Sequence, residues 1–300
     1  MSTAIYCRLI RPRETRFIEE ATAINNEVWG KELTSTVDEF RSRADYGTLV
    51  GAFGPEGLLG TISGLELPTS ELAAAAANRN ALSTWEGATA NGTFRTAVPG
   101  ADALCCVAVT SREATKPSGG KPAPLPEILP GPAAEWARFL LTSKDPVLPP
   151  DLERLADRII PAYLESNCDP VLRFHARNKG PLPGASPWIP IPKGRPADAG
   201  SLGYNVLMRY PELTLDARTA LLTPSDYAPT SIGEALVLGA ARVAASMPTV
   251  KWVVPYSRPA AYRKDLGRFL ARLSGTVIPF SRPEEERFNA LAKPIWEQQR

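Results

Sequence analysis

The sequence predicts a sheet protein of the α/β or α+β class, and three observations support that prediction. Apolar runs typical of strands recur along the 300 residues. Stretches with apolar residues three or four apart, typical of helices, lie between these runs. Apolar residues make up 44% of the chain, which suffices for a sizeable core. We therefore expect residues 1–300 to form a single domain, a sheet flanked by helices.

The N-terminal elements follow from local patterns. Residues 4–10 alternate and predict a strand, whereas residues 12–29 carry apolar side chains at helical spacing. Two apolar runs, 48–53 and 58–67, are joined by Gly54-Pro55-Glu56-Gly57, which is typical of a hairpin turn. The chain is thus expected to begin with a strand, a helix and a hairpin.

A continuous apolar run, Ala103–Thr110, predicts a strand buried on both faces. Its cysteines, Cys105 and Cys106, are expected to be packing residues rather than nucleophiles. The other predicted elements are helices over 70–85, 151–166, 169–178, 230–247 and 262–273, and strands over 204–209, 251–256 and 276–280.

Prolines mark the irregular segments. Nine of the thirty prolines fall between residues 117 and 150, and each removes a backbone donor and disfavours helix before it. Residues 111–150 are therefore expected to form a proline-rich insertion. Residues 180–200 are predicted to be a Pro/Gly-rich loop, and residues 211–229 a shorter break.

Composition excludes several classes of protein. With 34 Lys+Arg against 32 Asp+Glu, the formal charge is +2, which argues against a general nucleic-acid binder. No apolar run approaches 18 residues, so no membrane span is expected, and the N-terminus shows no secretory pattern. Four cysteines without a CxxC pair indicate a reducing, cytoplasmic compartment. A single histidine argues against a His-rich metal site, and no metal is expected.

One turn could bind an anion. Ala228–Gly233 consists mostly of small residues and precedes a predicted helix. Backbone N–H groups at such a turn, together with the helix dipole, favour a negative ligand. The alternative interpretation is an ordinary N-capped helix start.

The order of elements resembles the GNAT superfamily of N-acetyltransferases, whose acyl-CoA pyrophosphate loop has the form Arg/Gln-x-x-Gly-x-Gly. Here Gly233 keeps the last glycine, whereas Ala228 and Ser231 replace the leading Arg/Gln and the first glycine. The resemblance implies an α/β fold with a mixed, mostly antiparallel twisted sheet and flanking helices. It also implies acyl-CoA as a co-substrate, with no tightly bound cofactor. The residues it places at CoA are Val107, Val109, Ser231, Ile232, Gly233 and Glu234.

Residues 169–180 resemble the GNAT segment in which a short helix carries Phe-Tyr, and His175 stands at the tyrosine position. Segments 194–198 and 203–207 resemble the final hairpin strand of a GNAT subgroup similar to polyketide-synthase loading domains. Segments 25–29 and 85–110 resemble the same subgroup. The resembling pieces cover roughly two thirds of the chain.

His175 is the natural proton carrier, because it is the only side chain with a reference pKa near neutrality. The alternative is a hydrogen-bonded histidine packed beside its neighbour. In the loading-domain subgroup a histidine assists decarboxylation of a malonyl-type acyl-CoA, which requires donors facing an enolate oxygen. Candidate donors are Ser257, Arg258 and Arg195, for which the alternative is a strand-end turn with solvated arginines.

Two further residues could contact substrate. Trp29 ends the first predicted helix and could wall an acyl pocket, although a lone aromatic is also typical of a core. Glu66 ends a hairpin strand, where a carboxylate could deprotonate an amine, or could simply be solvated. Both assignments derive from the GNAT resemblance.

The order of the segments departs from the family. A GNAT chain would place the pyrophosphate turn and its helix directly after strand 103–110, whereas here the His175 segment intervenes. Either the fold is internally permuted, or residues 111–225 are an insertion and the His175 match is fortuitous. Permutation predicts one specific contact, a pairing of strand 204–209 with strand 251–256.

The sequence therefore predicts an acyl-CoA-dependent acyltransferase that transfers an acyl group to an amine or another small-molecule acceptor. One alternative is a decarboxylase or S-acyltransferase acting on a malonyl-type acyl-CoA, and another is a GNAT-like module that binds without catalysis. The expected partners are acyl-CoA, a small-molecule acceptor and an acyl carrier protein. Neither nucleic acid nor a membrane is expected as a partner.

Overall fold

The computed structural model describes residues 5–29, 34–76, 81–112, 169–191, 194–195, 204–224 and 227–257. Over these ranges the chain forms an open, mostly antiparallel seven-stranded sheet with helices, which confirms the α/β prediction. The strands are β1 Tyr6–Leu9, β2 Thr48–Gly54, β3 Gly57–Leu67, β4 Ala103–Ser111, β5 Ser186–Ile191, β6 Asn205–Arg209 and β7 Trp252–Ser257. The helices are α1 Thr15–Trp29, α2 Val37–Tyr46, α3 Thr69–Ala76, α4 Trp85–Thr89, α5 Pro170–Ala176, α6 Leu215–Leu222 and α7 Ile232–Ser246.

The order of strands in the sheet differs from their order in the chain. Strands β1 to β4 are sequential antiparallel neighbours, and the order continues β4-β7-β6-β5. The β4–β7 pair is parallel, and β6 lies antiparallel to β7. Val206 pairs with Ser257 and Leu207 with Tyr256, so the pairing that permutation predicts is present.

Three elements correct the sequence predictions. The predicted loop 180–200 contains β5, the last strand of the sheet, because an edge strand tolerates the missing N–H groups of Pro187 and Pro190. The predicted break 211–229 contains α6, which begins after Thr214, whose hydroxyl accepts from Ala217 N. Helix α2, which was not predicted, begins with a capping box between Thr36 and Glu39.

Several predicted segments fall on residues that the structure does not describe. Insertion 111–150, apart from its first two residues, and the predicted elements at 151–166, 262–273 and 276–280 lie outside the described residues.

Contacts divide the chain into two units. The larger comprises residues 1–118, 175–191 and 206–257, and it contains almost all of the described sheet. Of the smaller unit, the structure describes only 169–174, 194–195 and 204–205. The prediction of one domain over residues 1–300 stays a prediction.

Apolar side chains of the larger unit form two clusters. One lies between α1, α2 and the hairpin β2–β3 and includes Ile18, Phe40 and Leu49. The other includes Cys105 and Val254 of the central strands. Helix α7 packs along β1–β4 and β7. These contacts fix α7 against the middle of the sheet.

Candidate functional site

The ladder between the parallel strands β4 and β7 covers only the first part of β4. It runs from Ala103 opposite Trp252 to Cys106 opposite Pro255, although β4 continues to Ser111. We call the Ala103 side the closed end and the side beyond Cys106 the open end.

A β-bulge lies where the pair opens. On β3, Ser63 pairs with Ala108 and Gly64 with Cys106, so that Val107 is the extra residue of β4. A bulge bends its strand and increases the local twist. Its position directly after the last β4–β7 pair explains why the ladder between the two strands stops there.

The described contacts of the first two turns of α7 are with β1 and β2: Cys7 Sγ donates to Ala235 O at 3.2 Å, and Gly239 lies against Cys7 and Val50. Helix α7 leads into β7 through the five residues 247–251, so it runs opposite to β7. Its fifteen residues extend about 22 Å, close to the roughly 20 Å of the six-residue β7. Along the strand direction, the first turn of α7 is therefore level with the open end of β4, because Cys7 is aligned through Ala52 and Gly60 with Ser111; across the sheet, its described contacts are with β1.

The turn before α7 is ordered by its own side chains. Ser231 is the N-cap, and its hydroxyl accepts from Glu234 N at 3.1 Å. The Glu234 carboxylate accepts from the backbone N–H of Thr230 at 2.6 Å, from the Thr230 hydroxyl and from Tyr227. Ser231 and Gly233 are half-buried and Thr230 is exposed, so the turn is accessible from solvent.

The turn therefore carries a negative charge of its own. Burial alone would raise the pKa of Glu234, but hydrogen bonds from Tyr227 and Thr230 and the charge of Lys179 hold the pKa below its usual value. Burial, together with the hydrogen bond to Glu234, raises the pKa of Tyr227 to about 12. At neutral pH, Glu234 is ionised and Tyr227 keeps its proton.

His175 is buried near the end of α5, with 4% of its surface exposed. Its Nδ1 lies 3.0 Å from the hydroxyl of Tyr210, which directly follows β6. Burial lowers the pKa of His175 to about 4, so the imidazole is neutral at pH 7. A neutral imidazole can accept a proton or donate a hydrogen bond, but it cannot act as an imidazolium acid.

Tyr210 links the histidine to β7 toward the closed end. Its backbone N–H donates to Val253, which pairs with Leu104, and burial, with a smaller contribution from Cys106, raises the pKa of its phenol. Cys106, the last residue of β4 paired with β7, has a pKa raised to about 12 by burial. The thiols of Cys105 and Cys106 are thus protonated at neutral pH, as expected for packing residues.

The structure describes only part of the predicted donor set. Ser257 is the last residue of β7, is buried, and by strand alternation lies on the same face as Pro255. Arg195 is half-buried and belongs to the smaller unit. Arg258 lies outside the described residues.

The predicted substrate residues lie on separate elements. Trp29 is the last residue of α1. Glu66 is half-buried on β3, and its carboxylate accepts from Gly100 N at 2.8 Å. Val107 is buried at the bulge, and Val109 is half-buried beyond it. Of the predicted CoA residues, Ile232 and Glu234 are buried in the first turn of α7.

Two residues of the site had no role in the sequence predictions. Tyr210 follows a strand and Tyr227 precedes a turn, and neither position has a local pattern that indicates a polar partner. Their roles depend on Nδ1 of a residue 35 positions away and on a carboxylate 7 positions away. Only the tertiary structure identifies them.

The described ranges contain no group of three His, Cys, Asp or Glu side chains that could hold a metal ion. Neither of the two longest described helices, α1 and α7, nor any shorter one could cross a bilayer. Comparisons with protein-family models, curated proteins and solved structures found no match.

Proposed function

We propose that this protein is an acyl-CoA-dependent acyltransferase that binds acyl-CoA at the open end of the β4–β7 pair. The observation that carries the proposal is that three features share one level along the strands: the β4–β7 ladder stops, β4 bulges, and α7 begins. The strand order is compatible with a GNAT-like sheet in which the segment carrying α5, β5 and β6 precedes α7 and β7 in the chain.

Each part of acyl-CoA has a matching feature at the open end. Beyond Cys106, β4 has no partner among the described residues on the β7 side. Its backbone groups there could bond an extended, amide-containing pantetheine as an added strand would. The turn before α7 presents backbone N–H groups and the positive end of the helix dipole to the diphosphate.

The proposed reaction forms one bond and breaks another. An acceptor amine attacks the thioester carbonyl, an amide forms, and the C–S bond breaks to release CoA as the thiol. The ammonium proton of the attacking nitrogen is lost to a base, for which Glu66 is the candidate, and the CoA thiolate takes up a proton. His175 is the candidate polar side chain at the carbonyl, because it is the single histidine of the chain and its hydrogen bond to Tyr210 holds the ring in place.

A second candidate function is acyl-CoA binding without catalysis. Glu234 favours it, because a carboxylate inside the turn opposes a diphosphate and weakens the site relative to one without that charge. The buried, neutral state of His175 also suits a structural hydrogen bond.

Two measurements test the proposal. Titration calorimetry with CoA and acetyl-CoA should show binding, and the absence of both heat and a thermal shift would contradict both functions. Release of free thiol from acetyl-CoA in the presence of an amine panel should be catalysed by the wild type and lost in His175→Ala, with CoA affinity unchanged. Binding without thiol release would favour the second candidate. Loss of CO2 from malonyl-CoA, followed by mass spectrometry, would instead identify decarboxylation.

A further inference from the structure

Arg209 lies between two tryptophan side chains on one face of the sheet. It is the last residue of β6, whose neighbours in the sheet are β7 on one side and β5 on the other. Its guanidinium carbon lies 4.6 Å from the ring centroid of Trp252 on β7 and 5.0 Å from that of Trp188 on β5. Both indoles pack against the apolar cluster that includes Cys105 and Val254. The three side chains therefore form one cluster across three neighbouring strands.

The indoles cover the guanidinium but use none of its N–H donors. A guanidinium carries five N–H donors in one plane, and an indole face attracts its charge without engaging them as an oxygen acceptor would. Among the described residues, the contacts of Arg209 are with these two rings, and no carboxylate or carbonyl accepts from it. All three side chains are half-buried, so solvent reaches the cluster.

Other arginines of the fold show what a structural guanidinium does in this protein. Arg43 is buried and also lies over two aromatic rings, but it donates to Gly92 O and to the Ser35 hydroxyl. Arg218 donates to four backbone carbonyls. Arg209 has the aromatic contacts of Arg43, whereas its donors are used by no group in the described part of the chain.

We propose that Trp188, Arg209 and Trp252 form a binding site for an organic carboxylate that carries a flat apolar group, such as an aromatic acid. A carboxylate matches the guanidinium fork with two parallel hydrogen bonds, which are charge-assisted and geometrically specific. The indoles fix the guanidinium and offer apolar surface to the group that carries the carboxylate. Trp252 pairs with Ala103 at the closed end, so this site differs from the one proposed for acyl-CoA and does not rest on it.

The indole N–H signals measure binding at this site. In 15N-labelled protein, benzoate should cause saturable shifts of the Trp188 and Trp252 signals, which Trp188→Phe and Trp252→Phe assign among the six tryptophans. Benzamide has the same shape without the charge and should cause no saturable shift. Acetate has the carboxylate without the aromatic ring, and it should bind at least about tenfold more weakly than benzoate because it buries little apolar surface.

Variants of Arg209 test the role of its fork. Arg209→Gln should lower the affinity for benzoate at least about tenfold, because the charge-assisted hydrogen bonds are lost. Arg209→Lys keeps the charge but not the fork, so it should also bind benzoate more weakly than the wild type. Arg95→Gln is the matched control, since it removes another guanidinium that lies over an aromatic ring, that of Tyr46, and it should keep wild-type affinity.

Three results would overturn the proposal. The first is the absence of saturable shifts with benzoate in the wild type, and the second is an equal response to benzamide. The third is wild-type affinity for benzoate in Arg209→Lys or Arg209→Gln, measured in whichever variant keeps the melting temperature of the wild type. Equal affinities for acetate and benzoate would contradict the aromatic class of the ligand.

Discussion

The two ends of the β4–β7 pair differ in the hydrogen bonds that hold the strands together. At the closed end, Asp102 joins three elements: its backbone carbonyl accepts from Lys251 N and Trp252 N, and its carboxylate from the N–H and hydroxyl of Thr69. At the open end, the same strands stop pairing after four residue pairs. The separation is therefore a local property of the bulge and not a weakness of the pair as a whole.

The C-terminus of α7 reinforces the closed end. Arg218 of α6 donates to four backbone carbonyls, those of Leu213, Ala245, Met247 and Val250. Helix ends leave carbonyls without partners inside the helix, and a cation there also favours the dipole. Among the described hydrogen bonds, the first turn of α7 is held by Ser231, Thr230 and Tyr227 of its own segment and by Cys7 of β1, which donates to Ala235 O. The C-terminal end of the helix is thus tied by one arginine to several carbonyls, whereas Thr230 at the other end is exposed to solvent.

The largest expected effect is on the closed end. Arg218→Ala should lower the free energy of unfolding by about 4 kcal/mol, because four charge-assisted hydrogen bonds are lost together. Chemical denaturation measures this loss. Arg242→Ala, which removes a single bond to the Leu221 carbonyl, should cost only about 1 kcal/mol. Equal losses of unfolding free energy in the two variants would show that the four hydrogen bonds of Arg218 do not hold the closed end.

The next effect is a loss of folding stability at acidic pH, which comes from His175. The pKa of His175 is about 4 in the folded protein and about 6.5 when unfolded, so the unfolded state binds more protons between these values. Stability is fully present above pH 6.5 and should fall by about 3 kcal/mol as the pH drops to 4. Denaturation at pH 7 and pH 5 measures most of this change, because the lowered pKa of Glu234 confines its own contribution to more acidic solutions.

His175→Gln is the control for this pH effect. Glutamine can still accept from Tyr210 but does not titrate, so the loss between pH 7 and pH 5 should disappear. A wild type whose stability is constant over that range would mean that the histidine is not buried as the structure describes.

A smaller effect is expected from the Asp102 side chain. Asp102→Ala removes the two bonds to Thr69 and should cost about 1.5 kcal/mol, because the start of α3 loses its carboxylate partner. Thermal unfolding measures this loss, and CoA affinity should not change. A variant of normal stability but weakened CoA binding would contradict the separation of roles between the two ends.

Local patterns were sufficient to predict most elements of the open end. The continuous apolar run of β4, the helical periodicity of α7 and the small residues of its first turn are properties of neighbouring residues. The bulge at Val107 could not be predicted, because it is a mismatch of register between two strands. The hydrogen bonds at the closed end could not be predicted from the sequence for a related reason. Arg218 bonds carbonyls 27 to 32 residues away, and no local spacing indicates such a contact.

The GNAT resemblance anticipated one long-range feature, the β6–β7 pairing, but it could not supply the environment of each side chain. His175 was expected to carry protons, and that stays a prediction; the fold adds that burial keeps the imidazole neutral at pH 7. Glu234 was expected at CoA, and its carboxylate is already engaged by Thr230 and Tyr227. Burial and partner choice depend on the packed structure, which motifs do not encode.

CoA binding by two variants of one residue tests the account most directly. Aspartate and asparagine cap helices as well as serine does, so Ser231→Asp and Ser231→Asn should both keep the melting temperature of the wild type. If the diphosphate rests at this turn, calorimetry should show wild-type affinity in Ser231→Asn and an affinity at least about tenfold weaker in Ser231→Asp, because like charges repel. Equal CoA affinities in the two variants would place the diphosphate elsewhere and contradict the binding site described for the open end.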